Sequence, residues 1–263
     1  MNLEKPFFIF LIFYFGLIAI ESIYCNQKKL KVYNFRDSLM NILLGVLGIT
    51  NKVIFGGIWL AIWIYIHQFS ILRIENNALN WIILFFVNEF VFYWFHRLSH
   101  EKRILWAVHV NHHSSEYFNF TTAGRLPFFN FAVQCVMWSP LIIVGFDPYM
   151  VFSISQVSFI FGVFQHSQLF GKIPGLEYIF NTPTHHKIHH ASNAIYINHN
   201  YGNVLIIFDR IFGTFIDEKN DVKVKFGITK NIHTNNPIIV IFHEWIDIFK
   251  ELSIKMKSIL KHK

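Results

Sequence analysis

Long apolar runs alternate with short polar connections through the first two thirds of the chain. Several of these runs approach the roughly 20 residues that a helix needs to cross the hydrocarbon core of a bilayer. The pattern therefore predicts an all-α, integral membrane helical bundle with four or five membrane-embedded helices and a polar cap. The apolar runs cover residues 6–20, 39–69, 79–95, 128–146 and 149–164.

Three local features decide how these runs divide into helices. No small-residue cleavage site follows the first run, so we expect an uncleaved helix rather than a signal peptide. Asn51 and Lys52 interrupt the second run, which is either one long span or two shorter pieces that meet at the break. Asp147 and Pro148 separate the last two runs, and this residue pair favours a sharp turn.

The composition disfavours a soluble enzyme or a disordered chain. Apolar residues make up 53% of the sequence and charged residues 15%, whereas charged residues make up about 25% of an average soluble domain. The net charge of +7 comes from basic residues scattered among apolar runs. This distribution indicates contact with anionic lipid headgroups rather than nucleic acid. Basic residues at 28–36, at 97–103 and in the C-terminal half favour one common, cytoplasmic side.

Histidine is the most informative residue type, since the chain has 15 His and only 13 Gly. Most of the histidines form three clusters that follow apolar runs, which places them in a cap at the membrane surface. One cluster has HxxxH spacing and two have HxxHH spacing, while one further histidine stands alone at the end of an apolar run. In that order, these residues are His96 and His100; His109, His112 and His113; His186, His189 and His190; and His166.

The spacing of the clusters predicts metal binding. Residues four apart on a helix share one face, so His96 and His100 can point at one site. The adjacent histidines of an HxxHH cluster can serve two different metals. Imidazole suits Zn, Cu, Fe and Ni, and nine rings suit two ions with about four or five ligands each. Neutral ligands call for nearby carboxylates that orient the rings, and the candidates are Glu89, Glu101, Glu116 and Asp209.

The three clusters resemble the histidine boxes of the fatty acid hydroxylase/sterol desaturase superfamily of membrane di-iron enzymes. The stretch from Asn181 to Phe215 is more specific, with NTPTHHKIHH, then NHNYG, then FDRIFGTF. This stretch resembles the branch that contains alkylglycerol monooxygenase and bacterial sterol-desaturase-like proteins. The resemblance covers about residues 80 to 217, and the regions on either side match only in character.

The resemblance implies a role for each clustered histidine. The eight box histidines occupy ligand positions, and His166 matches the isolated family histidine before the last box. His185 is either a ligand or a neighbour of the ligands, and His199 is either such a neighbour or a loop residue. Glu101 follows the first box, as an acidic residue does in the alkylglycerol branch, and is the candidate catalytic residue.

The implied activity is O2-dependent hydroxylation or desaturation of an unactivated C–H bond in a lipid. The implied cofactor is two iron ions, for which zinc can substitute in a purified preparation. No haem domain of the cytochrome b5 type is fused to the chain, so we expect a separate electron-donor protein or reductant. The sequence does not identify the lipid or the oligomeric state.

Two other functions remain open at this point. A zinc-dependent membrane hydrolase needs a general base such as the Glu of HExxH, and the sequence has no HExxH. A non-catalytic metal-binding protein or transporter places histidines inside the spans along a pathway, whereas the clusters here lie in polar segments beside the runs.

We expect three regions along the chain. Residues 1–78 form N-terminal membrane helices, residues 79–217 form a fatty acid hydroxylase-like catalytic domain, and residues 218–263 form a polar or amphipathic tail. Residues 250–263 mix Lys with Ile and Leu at near-helical spacing. They are therefore either an amphipathic surface helix or a frayed basic tail.

Overall fold

The computed structural model describes residues 4–234 and 236–261 of the chain. Within these ranges the protein is helical, with two isolated β-bridges and no β-strand, which confirms the predicted all-α class. A short 3₁₀ turn at Leu176–Tyr178 accompanies ten α-helices. They are α1 (Glu4–Gln27), α2 (Phe35–His67), α3 (Ala78–Glu101), α4 (Arg103–His113), α5 (Phe120–Ala123), α6 (Asn130–Val144), α7 (Pro148–Phe164), α8 (Pro183–His189), α9 (Ile207–Ile211) and α10 (Pro237–Lys261).

Helices α1, α2 and α3 have the length and composition of membrane spans. Asn34 and Asn77 fix the starts of α2 and α3, because each side-chain oxygen accepts a hydrogen bond from a backbone N–H of the first turn. Helix α2 continues without a break through Asn51 and Lys52, so one helix of 33 residues takes the place of the two shorter pieces considered above. The Nζ of Lys52 donates a hydrogen bond to the Gln156 side chain of α7.

Helices α6 and α7 are shorter apolar helices that form a hairpin. The turn predicted at Asp147 and Pro148 is present, with Asp147 capping α7 and Pro148 as its first residue. Gly145 ends α6 at a φ of 130°, and a Cβ there would lie 2.3 Å from the carbonyl oxygen of Leu72. The hairpin tip therefore rests against the connection between α2 and α3. Whether this hairpin completes a count of four or five embedded helices stays a prediction.

The buried core between the helices is rich in aromatic side chains. Trp63, Leu84, Phe95, Trp138 and Ile142 belong to one cluster contributed by α2, α3 and α6. The indole N–H of Trp63 donates to the Cys135 carbonyl oxygen and that of Trp138 donates to Asn88. These bonds satisfy the polar edges of the rings where water is absent.

The polar cap is tied to the first two helices by close contacts. Buried Glu21 of α1 accepts hydrogen bonds from the Tyr33 hydroxyl, the Phe120 backbone N–H and the Ser167 hydroxyl. A Cβ on Gly45 of α2 would lie 2.7 Å from the carbonyl oxygen of Gly124 just after α5. Glycine at this position therefore lets α2 approach the cap closely.

The C-terminal helix α10 starts earlier than the predicted surface helix at 250–263, and residues 262 and 263 of that prediction lie outside the described residues. Val240 and Ile241 pack against Met40 and Leu44 of α2. Arg103 of α4 pairs with Glu244 and Glu251, so the helix is docked on the cap. Its outer face exposes apolar residues that include Phe249, Ile254 and Leu260. The domain limits at residues 78/79 and 217/218 stay predictions.

Candidate metal centre

Four segments from distant parts of the chain bring nine histidines together. The C-terminal end of α3 carries His96 and His100, and α4 carries the second cluster. His166 follows the C-terminal end of α7, and α8 with the next residue carries the third cluster. All nine side chains are buried except His100 and His112, which are partly exposed.

The nine rings form two groups, and the ligand atoms within each group lie within 4.8 Å of one another. The first, which we call the five-histidine group, consists of His96, His100, His109, His113 and His189. The second, which we call the four-histidine group, consists of His112, His166, His186 and His190. The group sizes agree with the four or five ligands per ion that the sequence predicts.

Each pair of adjacent histidines is divided between the two groups. His112 belongs to the four-histidine group and His113 to the other, and His189 and His190 are divided in the same way. The two groups also touch, because the rings of His113 and His190 are stacked with their centroids 4.3 Å apart. Neighbouring residues on a helix point in different directions, so one HxxHH segment lines two adjacent sites.

The spacing of the Nε2 atoms fits coordination to a metal. The Nε2 of His109 lies 3.1 Å from the Nε2 of both His96 and His113. In the other group, the Nε2 of His186 lies 3.0 Å from that of His166 and 3.2 Å from that of His190. Ligands about 2.1 Å from one ion are separated by roughly 3.0–3.4 Å at octahedral to tetrahedral angles.

Unpartnered ring nitrogens give a second test of this fit. The Nε2 atoms of His100 and His189 are buried and have no hydrogen-bond partner. Buried polar atoms without partners are rare in proteins, because each costs the free energy of its lost hydration. A metal ion in the five-histidine group would account for both atoms. For the four-histidine group the fit rests on the spacing of its Nε2 atoms.

Backbone carbonyl groups orient four of the rings. The Nδ1 atoms of these rings donate to carbonyl oxygens, which leaves the Nε2 lone pair facing the group. The sequence-based expectation of carboxylates in this position is not met for these four rings. The pairs are His96 with Tyr201 at 2.7 Å, His112 with Arg125 at 3.1 Å, His166 with Gly162 at 2.8 Å and His189 with His199 at 2.9 Å.

Two of the expected carboxylates bind the loop that contains Tyr201 rather than the histidine rings themselves. Asp209 accepts hydrogen bonds from the backbone N–H groups of Tyr201 and Gly202, each at 2.7 Å. Glu89 accepts from the backbone N–H groups of Val204 and Leu205. Both carboxylates thus hold the loop whose carbonyl group binds His96.

Arg125 supports the other side of the centre, and sequence reasoning missed it. Its guanidinium group is buried and donates to Asp37, to Asn41 and to the Asn111 carbonyl oxygen. Its own carbonyl oxygen accepts from His112. No spacing rule in the sequence identifies Arg125, because its partners come from α2 and α4.

Burial keeps the imidazoles neutral. Removal from water lowers the pKa of His112 from 6.5 to about 4. Burial, followed by the neighbouring imidazoles, lowers the pKa of His113 and His190 well below 6.5. A neutral ring offers a lone pair to a metal, whereas a protonated ring has none. The site is therefore set for metal binding at neutral pH.

The other candidate residues lie outside both groups. Glu101 is exposed and paired with Arg97 at 2.8 Å. Glu116 accepts from Asn231 and is exposed. His185 is buried 3.9 Å from Glu177, and His199 contributes its backbone carbonyl oxygen rather than its ring. The structure thus leaves His185 and His199 out of the clustered nitrogens.

A cavity of about 1100 Å³, its mouth included, extends from the histidines into the helical bundle. Five histidines from both groups line one part of it, and aromatic rings that include Phe92, Phe95 and Trp138 line another. Apolar walls with a few polar groups are typical of a small-molecule site. The buried Phe118 ring packs against the four-histidine group, with its centroid 5.1 Å from that of His190.

Comparison with known proteins gives matches over most of the chain. A family model described as fatty acid hydroxylase matches residues 81–214. Alkylglycerol monooxygenase from Homo sapiens is 37% identical over 216 residues, which is 81% of this chain and 48% of that protein. The Xenopus tropicalis protein of the same name is 34% identical over 87% of this chain and 51% of that protein.

A bacterial relative matches a shorter region. Ornithine lipid hydroxylase OlsE from Rhizobium tropici is 31% identical over 147 residues, which is 56% of this chain and 44% of that protein. The chain spans about half the length of the alkylglycerol monooxygenases that it matches. No solved structure matches the chain.

Proposed function

The chain belongs to the fatty acid hydroxylase family, and we propose that it is a membrane-bound di-iron enzyme that uses O2 to hydroxylate or desaturate a lipid. The observation that carries the proposal is the convergence of nine histidines in two adjacent groups at a cavity with apolar walls. No side-chain acid or base removes hydrogen from an unactivated C–H bond. Two bound iron ions supply that oxidation with O2, and the protein provides binding and orientation.

The nine clustered histidines are the proposed ligands, five for one ion and four for the other. Neutral nitrogen donors suit iron, although they bind zinc as well. Iron is favoured because the relatives are named as monooxygenases and a hydroxylase. The carbonyl groups of Tyr201 and Arg125 keep the rings of His96 and His112 pointed at the ions. Zinc found in a purified preparation would then have replaced iron at the same histidines.

The cavity is the proposed position of the aliphatic chain. Phe92 and Trp138 provide apolar surface beside the histidines, and burial of a lipid chain there excludes water from the centre. Phe118 closes the side of the four-histidine group. The names of two relatives refer to alkylglycerol and to ornithine lipid. These two lipids are therefore the first substrates to test.

Glu101 remains the proposed catalytic residue, and its ion pair with Arg97 must open for it to reach a substrate. The variant Glu101→Gln tests this role. A catalytic Glu101 predicts loss of product with full iron content, and unchanged product formation rules the role out.

We also propose that the histidine centre faces the cytoplasm and receives electrons from a separate donor. Lys28, Lys29 and Lys31 lie in the connection between α1 and α2, and Arg36 lies in the first turn of α2. This end of the bundle contacts the histidine-bearing cap through the bond from Asn119 to the Val32 carbonyl oxygen and the ion pair of Arg125 with Asp37. The connection between α2 and α3 at the other end contains only Arg73 and Glu75 as charged residues. This excess of positive charge on one side is typical of cytoplasmic loops.

The decisive test of the function is oxidation by the purified full chain. Iron-loaded protein in detergent, given a reductant and each lipid, should consume O2 and add one oxygen atom or remove two hydrogen atoms from the lipid. The variant His112→Ala is the control that lacks one proposed ligand. A product formed without O2, or formed equally by the variant, would contradict the proposal.

The hydrolase alternative is less well supported. Neither histidine group contains a carboxylate from the described residues, and the sequence has no HExxH with its general-base glutamate. A zinc hydrolase would release its product under argon, which the same assay detects.

A further inference from the structure

Lys52 lies close to the middle of the longest membrane helix. It is 17 residues after the start of α2 at Phe35 and 15 residues before its end at His67, so each end is about 22–26 Å away along the axis. Ionisable residues at this depth are rare, and those that occur usually face a cavity and serve a function. Lys52 follows this rule, because it lines the cavity that reaches the histidines.

The ammonium group of Lys52 is only partly satisfied by the protein. Its Nζ donates to the Gln156 side-chain oxygen at 2.7 Å and lies 5.0 Å from the centroid of the Phe159 ring. An ammonium group has three N–H donors, and Gln156 takes one of them. No carboxylate of the described residues forms an ion pair with Lys52. A buried cation without a counter-charge is costly, so an anionic oxygen group that enters the cavity would stabilise it.

The polar position at Lys52 and Gln156 is separated from the histidines along the cavity. Gln156 lies on α7 ten residues before His166, a distance of roughly 15 Å along a helix. Two polar residues of α6, Asn130 and Gln134, also line the cavity, and the Asn130 side-chain oxygen is buried without a partner. The wall of the cavity thus contains the cation of Lys52 and, roughly 15 Å away along α7, the clustered histidines. Aromatic rings also line the cavity.

We propose that Lys52 and Gln156 bind an anionic oxygen group of the lipid, a carboxylate or a phosphate, and thereby set which carbon lies at the histidines. This inference rests on the proposed function and deepens it by naming the polar group that the enzyme selects. Gln156 orients the ammonium group, while the anion accepts hydrogen bonds from its remaining N–H donors. Charge-assisted bonds of this kind are stronger than those to neutral oxygens.

Equilibrium binding to the purified full chain in detergent tests the proposal without requiring turnover. The probes are radiolabelled palmitate against methyl palmitate for the carboxylate, and lysophosphatidate against monoacylglycerol for the phosphate. We expect the wild type to bind at least one anionic probe about tenfold more tightly than its neutral partner. The probe that shows the preference identifies the source of the anion.

Three variants separate charge from packing. Lys52→Met should abolish the preference, and Lys52→Arg should retain it. Gln156→Glu should also abolish it, because an internal carboxylate then pairs with Lys52. Lys223→Met, at an exposed lysine, is the matched control and should behave as wild type. Since Lys52→Met removes a charge from the bundle, its melting temperature confirms that the variant is folded.

The results distinguish this proposal from the hydroxylase proposal. Absence of a preference in the wild type, or a preference that survives Lys52→Met, overturns the role of Lys52 even if lipid oxidation is observed. A preference that depends on Lys52 supports the role even if no oxidation is found, in which case only the hydroxylase proposal fails.

Discussion

His96 and Tyr201 are 105 residues apart in the sequence, yet the His96 ring Nδ1 donates to the Tyr201 carbonyl oxygen across 2.7 Å. The bond joins the end of a membrane helix to the loop after α8. It fixes the ring so that Nε2 faces the five-histidine group. The orientation of one proposed ligand therefore depends on whatever holds the Tyr201 backbone in place.

Asp209 holds that backbone, so Asp209→Asn should disturb the metal centre from a distance. The amide loses one acceptor oxygen and leaves a backbone N–H of Tyr201 or Gly202 without a partner, at a cost of about 1–3 kcal/mol. We expect a lower melting temperature and roughly 10–100-fold weaker metal binding at the five-histidine group. Calorimetry and metal titration measure the two effects.

Asp221→Asn is the matched control, because Asp221 is exposed and should tolerate the change. Equal metal affinity in Asp209→Asn and wild type would show that the loop does not orient His96.

The division of adjacent histidines gives a paired prediction. His189→Ala should weaken metal binding in the five-histidine group, and His190→Ala should weaken it in the four-histidine group, because each variant leaves the other group complete. Each purified variant should retain about one metal ion per chain by mass spectrometry. Loss of both ions from both variants would argue against two separable sites.

The residues that the sequence identified share one property, which is that their signal is local. The histidine clusters have regular spacing, and the apolar runs predict the helices that carry them. The orienting groups have no local signal, since the carbonyl oxygen of Tyr201 belongs to every residue type. For the same reason the sequence predicted carboxylates as the groups that orient the rings, whereas the structure has carbonyl groups there. Arg125 was not identified from the sequence either. In the sequence, Lys52 appeared only as an interruption of the second apolar run, because its partner Gln156 is 104 residues away.

Phe118 should control the access of water and chelators to the four-histidine group. Its ring centroid lies 5.1 Å from that of His190 and 5.6 Å from that of His166. Phe118→Ala opens this side of the group, so metal loss to a chelator should become faster. Phe170→Ala, at an exposed ring, serves as the reference. Identical loss rates in the two variants would contradict the role of Phe118 as a cover.

Close packing of α2 on the cap predicts different effects of alanine at two glycines of the same helix. A Cβ on Gly45 would lie 2.7 Å from the Gly124 carbonyl oxygen, whereas one on Gly57 meets nothing within 4 Å. Gly45→Ala should destabilise the protein by about 1–3 kcal/mol through overpacking. Gly57→Ala should be neutral or slightly stabilising, because alanine favours the helix. Thermal unfolding in detergent checks both, and equal melting temperatures would show that α2 does not pack this closely.

The neutral histidines predict an acid-sensitive metal-free protein. Burial lowers the pKa of His112 from 6.5 to about 4, so in this pH window the unfolded chain takes up a proton that the folded chain excludes. Stability from His112 is therefore complete above pH 6.5 and is lost as the pH falls towards 4. Burial lowers the pKa of the other cap imidazoles in the same direction.

The measurement is the melting temperature of chelator-treated protein from pH 7 to pH 5. We expect a steady decrease on acidification. Burial raises the pKa of Asp209 to about 6, so this one carboxyl group adds stability as the pH falls below 6. The several histidines act in the other direction. A melting temperature that stays constant or rises would mean that the histidines are not buried in their neutral form.

The central claim is that nine histidines form two adjacent metal sites, and anaerobic iron titration of the metal-free full chain tests it most directly. The account predicts saturation at two iron ions per chain, with one ion lost selectively in each of the variants His189→Ala and His190→Ala. Saturation at one ion or none, or a stoichiometry of two that neither variant changes, would contradict it.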